Sequence, residues 1–259
     1  MSRVYSAATS LLLLGLCLAP SPAHADPAPV SPDTVYRTLL LRAAPGSLDA
    51  LLDLYRARRS VYAEARIEQP VLMRHSQGDQ WDLMVLFPIA GLAEYFGDDR
   101  ASRMDAAGRA GGLSEAAFLD SLRALAVFRE EVFVSGPSLA VLREQEAGAG
   151  LFHIEMFVAV PGKYHELVEQ RHMENAYYHA TDRAGNLVFE RLAGARWDVF
   201  TVGFYDDMPH FAADPDLPRE VLEQAAIDAG FESRSAIGTY LRQLMPRHND
   251  TLAVPVREQ

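Results

Sequence analysis

The sequence predicts an α+β protein made of two successive copies of one βαββαβ unit, and three observations carry that reading. Shifted along itself until Trp81 meets Trp197, the chain pairs Pro45-Gly46 with Pro161-Gly162, Leu51 with Leu167, Tyr62 with Tyr178, Gly78 with Gly194 and Asp82 with Asp198, with no gap. Within each copy the apolar positions alternate between strand-like runs and helical spacing. Between the copies, "EQEAGAG" reads as a glycine-bearing linker, which sets the copies at 35–145 and 151–259 with 146–150 between them. A repeat of that length is a domain duplication and not a solenoid unit of roughly 20 to 50 residues.

Each copy opens on a strand, "VYRTLLLRA" from Val35 and "LFHIEMFVAV" from Leu151, and each strand stops at Pro-Gly. The helices "SLDALLDLYRARRSVYAEA" and "KYHELVEQRHMENAYYHAT" follow. A short strand, "VLMRHS" or "LVFERL", then turns at Gly78 or Gly194 into a strand that begins Trp-Asp, and the turn glycine makes the pair a hairpin. Further helix is expected from about Ser114 to Glu130 and from about Pro218 to Leu244, before the closing strands "EVFVS" and "DTLAVPV". Trp81 and Trp197 read as core residues of their strands. Asp82 and Asp198 point to the opposite face and read as anchors for a turn or a helix N-terminus, or as members of a site.

Arg3, the leucine-rich run Leu11 to Leu18 and the Ala-x-Ala pattern ending at Ala25 form a secretory signal peptide over residues 1–25, too short in its apolar run to span a membrane. The expected mature protein is exported to the periplasm or beyond, begins at Asp26 and carries a flexible lead-in over 26–34. The single cysteine, Cys17, lies in the signal core, which leaves the mature chain without a disulfide, thiol nucleophile or zinc–thiolate site. Leu16 before it is a poor match to the small residue of an acylation site. A formal charge of −11 without basic runs excludes a nucleic-acid binder, and 49% hydrophobic residues suit a soluble globular protein with no membrane span after cleavage. There is no glycine-rich phosphate loop, no Gly-x-Ser-x-Gly elbow and no His-Glu-x-x-His helix.

Divergence between the copies points to chemistry in the second. His153 and Glu155 share a strand face with Phe157 and Ala159, where the first copy has Arg37, Leu39, Leu41 and Ala43. A glutamate there is expensive to bury unless paired or neutral. On the next helix Tyr164, Val168, Arg171, Asn175 and Tyr178 form one stripe toward the sheet, so His153, Glu155, Arg171, Asn175 and Tyr178 are the candidate ligand-binding residues. Glu155 with Arg171 makes either that site or a structural ion pair. His165, His172 and His179 recur along the same helix roughly 10 Å apart, too far for neighbours to share one ion. A metal, divalent or haem iron, would therefore combine one of them with strand or C-terminal residues, and His172 and His248 are the candidates. "RHND", which holds His248 and Asp250, is a capping turn or the far wall of the pocket.

The βαββαβ order is the ferredoxin-like plan, whose sheet leaves one apolar face in need of a partner. With the strand-ending Pro-Gly and the Trp-Asp hairpin, the chain resembles the dimeric α+β barrel superfamily. That superfamily includes the antibiotic-biosynthesis monooxygenases, the haem-degrading monooxygenases and the NIPSNAP-like proteins. The resemblance implies two such sheets face to face within one chain, a monomer in which fused copies replace the usual homodimer, and a pocket between helix and sheet. In the haem-degrading families a helical histidine holds the iron, a role for which His172 is the candidate here. Three functions follow as expectations: binding of a small organic ligand in the second copy, a cofactor-independent or haem-assisted monooxygenase, or an interaction domain with no ligand site.

Overall fold

The computed structural model describes residues 34–257, so the signal segment, Cys17 and the lead-in up to residue 33 lie outside the described residues. In the first half β1 (Thr34–Ala43), α1 (Leu48–Glu64), β2 (Val71–Gln77) and β3 (Leu83–Ile89) precede α2 (Leu92–Tyr95), α3 (Asp98–Ala110), α4 (Glu115–Leu125), β4 (Ala126–Gly136) and α5 (Leu139–Glu146). The second half runs β5 (Leu151–Val158), α6 (Tyr164–Ala180), β6 (Leu187–Gly194), β7 (Val199–Tyr205), α7 (Met208–Ala212), α8 (Arg219–Asp228), α9 (Ala236–Leu244) and β8 (Arg247–Pro255). The eight strands close an antiparallel barrel in the order β1-β3-β2-β8-β5-β7-β6-β4. Each half supplies an arc of four, β4-β1-β3-β2 and β8-β5-β7-β6, and the ring closes at two seams, β2 with β8 and β4 with β6.

The apolar runs of β3 and β7 are buried along their whole length because both of their faces are covered. Inward-facing side chains fill the barrel, among them Tyr36, Trp81, Phe152, Phe189, Trp197 and Phe200, with Phe189 and Phe200 stacked at 4.6 Å. On the outside, α1 and α4 cover the first arc through Leu51, Tyr55 and Phe118, and α6 and α9 cover the second through Leu167, Leu241 and Leu244. On α6 the stripe read from the sequence supplies part of this covering through Tyr164 and Val168, while Leu167 lies off it.

The repeated Trp-Asp has a structural purpose. Both tryptophans are core, and each aspartate closes the end of the neighbouring strand: Asp82 Oδ2 accepts the Ala43 N–H at 2.8 Å and Asp198 Oδ2 accepts the Ala159 N–H at 2.8 Å. The hairpin glycines do a second job beyond turning. Gly78 and Gly194 have φ of 114° and 108°, and a β-carbon on them would sit 2.1 Å from the Asp250 carbonyl oxygen and 2.5 Å from that of Glu131. Both contacts cross a seam to the closing strand of the opposite half.

Three expectations need correction. The helix from Ser114 ends at Leu125, and residues 126–136 form β4, because Val132 and Val134 bury against the barrel and the strand pairs with β1. The helical stretch after Pro218 is two helices parted near Gly230, whose φ is 101°. Glu146, read as linker, ends α5, which is capped by Ser138. The barrel expected from the resemblance is closed, with the halves meeting edge to edge at the seams and face to face across the interior. No helix among the described residues is long and apolar enough to cross a membrane.

Candidate functional site

In the second half β5 and α6 bring the sequence-predicted residues together. Glu155 lies under α6, where its Oε2 accepts from Arg171 Nη1 at 3.3 Å and from the Thr201 hydroxyl at 3.2 Å. Arg171, 2% exposed, also bonds Glu174 and Gln170 and lies 4.8 Å over the Phe157 ring. The Tyr178 hydroxyl donates to Glu174 at 2.5 Å, which completes the network. Burial pushes the Glu155 carboxyl above its ordinary range, against the opposing pull of Arg171 and His153. Here the helix–sheet interval is occupied by side chains that bond one another.

Asn175 faces a loop instead, where its side chain accepts from the Asn186 N–H at 2.8 Å and donates to the Asn186 carbonyl at 2.7 Å, pinning the segment before β6. His172 is exposed on α6. His248 joins the β5 face, because β5 and β8 pair with Glu155 opposite Asp250 and Phe157 opposite His248. His153 Nε2 stands 3.5 Å from Asp250 Oδ1, and His248 Nε2 3.0 Å from Asp250 Oδ2. Contact with His153 and the nearby His248 hold the Asp250 carboxyl below its usual range despite partial burial. Asp250 was visible in the sequence only as part of "RHND"; its place beside Glu155 depends on strand register.

The first half holds what the sequence comparison passed over. A cavity of about 160 Å³ lies between α1, α3, α4 and the outer face of β1 and β3, lined by Arg37, Arg58, Arg100, Arg129, Tyr55, Tyr62, Tyr95 and Glu115 among others. Arg37 and Arg129 both bond Glu131, at 2.5 and 2.7 Å, and Arg58 bonds Glu115. Arg100 has no carboxylate partner among the described residues; it lies 4.3 Å over the Tyr95 ring, and burial lowers its pKa. Four arginines against Glu115 and Glu131 leave two positive charges around the cavity. The Tyr55 hydroxyl is buried there without a hydrogen-bond partner, and burial raises its pKa far above the ordinary value. A buried hydroxyl left unbonded is costly, and such an atom marks a place for a missing partner. The sequence marked neither Arg58, one charge among several on α1, nor Arg100, on a helix that the periodicity did not reveal.

No family model and no curated protein matches the chain. Among solved structures it is similar to an anthrone oxidase-like protein, at 11% identity and a TM-score of 0.56, over 86% of this chain and 91% of that one. It is also similar to a chlorite dismutase variant from Candidatus Nitrospira defluvii, at 9% identity and a TM-score of 0.45 over 86% and 92%, and to a heme-binding protein from Thermus thermophilus, at 11%, 0.42, 86% and 91%. The fold is that of the dimeric α+β barrel proteins.

Proposed function

We propose that the protein binds a small planar organic anion in the cavity of its first half. The observation that carries this is the pairing, around one cavity, of an arginine without a carboxylate partner among the described residues and a buried tyrosine hydroxyl without a partner. A carboxylate or phenolate would satisfy both Arg100 and Tyr55, while Tyr62, Tyr95 and Phe118 would hold the ring. The volume, 160 Å³, matches the roughly 150 Å³ that accommodates one benzene-sized ring. The second-half set His153, Glu155, Arg171, Asn175 and Tyr178 is the less suitable container for an organic ligand, since Arg171 is bonded to Glu155 and Glu174, Tyr178 to Glu174, and Asn175 holds a loop.

In this reading two fused ferredoxin-like repeats make up a monomer, exported after cleavage behind Ala25, and the repeats have taken separate roles. A second reading, a cofactor-independent monooxygenase, uses the same cavity: permanent cations favour the phenolate form of a substrate, the electron-rich form that reacts with oxygen. Haem does not fit this cavity, whose 160 Å³ is about half the smallest typical pocket for a drug-sized ligand. His172 is exposed on α6, in the other half.

The test is calorimetric titration with benzoate, salicylate and their neutral amides, with oxygen uptake recorded in parallel. The acids are expected to bind at one site, the amides at least about tenfold more weakly. Tyr55→Phe should weaken binding while leaving stability unchanged or raising it by up to about 1 kcal/mol, since it removes an unsatisfied buried hydroxyl. Equal affinity for acids and amides would remove the anion reading, and oxygen uptake would select the monooxygenase.

A further inference from the structure

Comparing the two arcs position by position exposes a substitution of chemistry. In the first arc Leu39 pairs with Glu131 and Leu41 with Arg129, and the carboxylate of Glu131 is clasped by Arg37 and Arg129. The second arc repeats the register with Glu155 opposite Asp250 and Phe157 opposite His248. There the carboxylate is flanked by His153 and His248 in place of two arginines, and a second carboxylate, Glu155, stands where the first arc has a leucine. Guanidinium groups neutralise an acid permanently and cannot ligate. Imidazoles can ligate, and exchanging both arginines for them while adding an acid removes two cations and adds an anion.

We propose that this patch is a divalent-metal site, with His153 Nε2, Glu155 and Asp250 as its ligands and His248 as a fourth. The ligand atoms of the first three lie within 4.8 Å of one another. Around a four- or six-coordinate ion such atoms stand roughly 3 to 3.5 Å apart, so side-chain adjustments of about 1 Å complete the set. Both protein hydrogen bonds to Glu155 fall on Oε2, and Oε1 accepts none among the described residues. Those same bonds, from Arg171 and Thr201, are the outer contacts that orient a ligating carboxylate. Arg171 is in turn anchored by Glu174, so Glu155, Glu174 and Asp250 against one arginine leave two negative charges for a dication to balance. The patch grades from 14% exposure at the Glu155 side chain to 54% at Asp250, which gives an ion an entry side and room for water. Imidazole with carboxylate selects a zinc-, manganese- or iron(II)-class ion over calcium or magnesium.

The experiment uses the whole mature protein stripped with EDTA and titrated with Zn²⁺ and Co²⁺, followed by calorimetry and, for Co²⁺, by visible absorption. One equivalent is expected, with cobalt bands that report nitrogen ligation. Asp250→Asn and His153→Ala should each weaken binding by at least about tenfold, with circular dichroism confirming the fold, and His165→Ala on the exposed side of α6 should leave it unchanged. No saturable binding of either ion overturns the site, as does binding that survives both substitutions or is lost in His165→Ala. The anion cavity is in the other half, so its titration succeeds or fails independently.

Discussion

At Gly78 and Gly194 the seams leave no room for a β-carbon, and the two positions answer to different physics than an ordinary turn. Positive φ alone makes alanine strained there, and the backbone of the opposite half stands where the methyl would go. Alanine at either position is expected to cost about 3 kcal/mol or more, read from urea unfolding, whereas alanine at Gly46, which also has positive φ but nothing within 4 Å, should cost about 1 kcal/mol. Equal costs at Gly46 and Gly78 would show that the seam is looser than described. The sequence announced both hairpin glycines as turns, because turn chemistry is local. It was silent on the seam, because the carbonyl that excludes the methyl comes from a strand far along the chain.

At the scale of elements, β4 is the strand on which sequence and structure part most. "AVFRE" carries helical-looking charges at its end, and only pairing with β1 makes it strand, with Glu131 brought beside Arg37 and Arg129. Burial opposes ionisation of Glu131, but the hydrogen bonds and charges of Arg37 and Arg129 prevail and hold its pKa below 4.5. A carboxylate depressed on folding contributes stability above its unfolded pKa and loses it as pH falls through the folded one. Glu131→Gln should therefore cost about 1 to 2 kcal/mol near pH 7, with the difference from wild type shrinking as pH falls below 4.5. A difference that stays constant down to strong acid would detach the ion pair from stability. On β5 the reading was better: a histidine and a glutamate on an apolar strand stood out, and both are where the period placed them. His248 and Asp250 read as the far wall of the pocket or a capping turn, but only strand register sets them beside β5, and Arg100 was hidden on α3.

For the whole molecule, the α+β class was legible because strand period, Pro-Gly strand ends and the Trp-Asp hairpins are local signals. The barrel was expected from the family resemblance alone, since edge pairing of β2 with β8 and β4 with β6 leaves no mark of its own in composition. Chains cut at Gly148 should each expose an arc whose inner face carries Trp81 or Trp197, well above the few hundred Å² of apolar surface a monomer tolerates. Each half alone is expected to associate or aggregate, and mixing the two should restore a soluble one-to-one complex by size-exclusion chromatography with light scattering. A stable, monomeric isolated half would refute the shared core. The closed ring has one more consequence. Every strand has two neighbours, so a finished molecule offers no free edge for further growth, but a nascent one carries two sticky rims and a short tether. At high concentration a first half can be completed by another chain's second half, giving an exchanged pair with the same bonds as two separate rings. The order of synthesis and the dilution at which the chain folds, not any difference in contact energy, then decide between solitary and interlocked molecules.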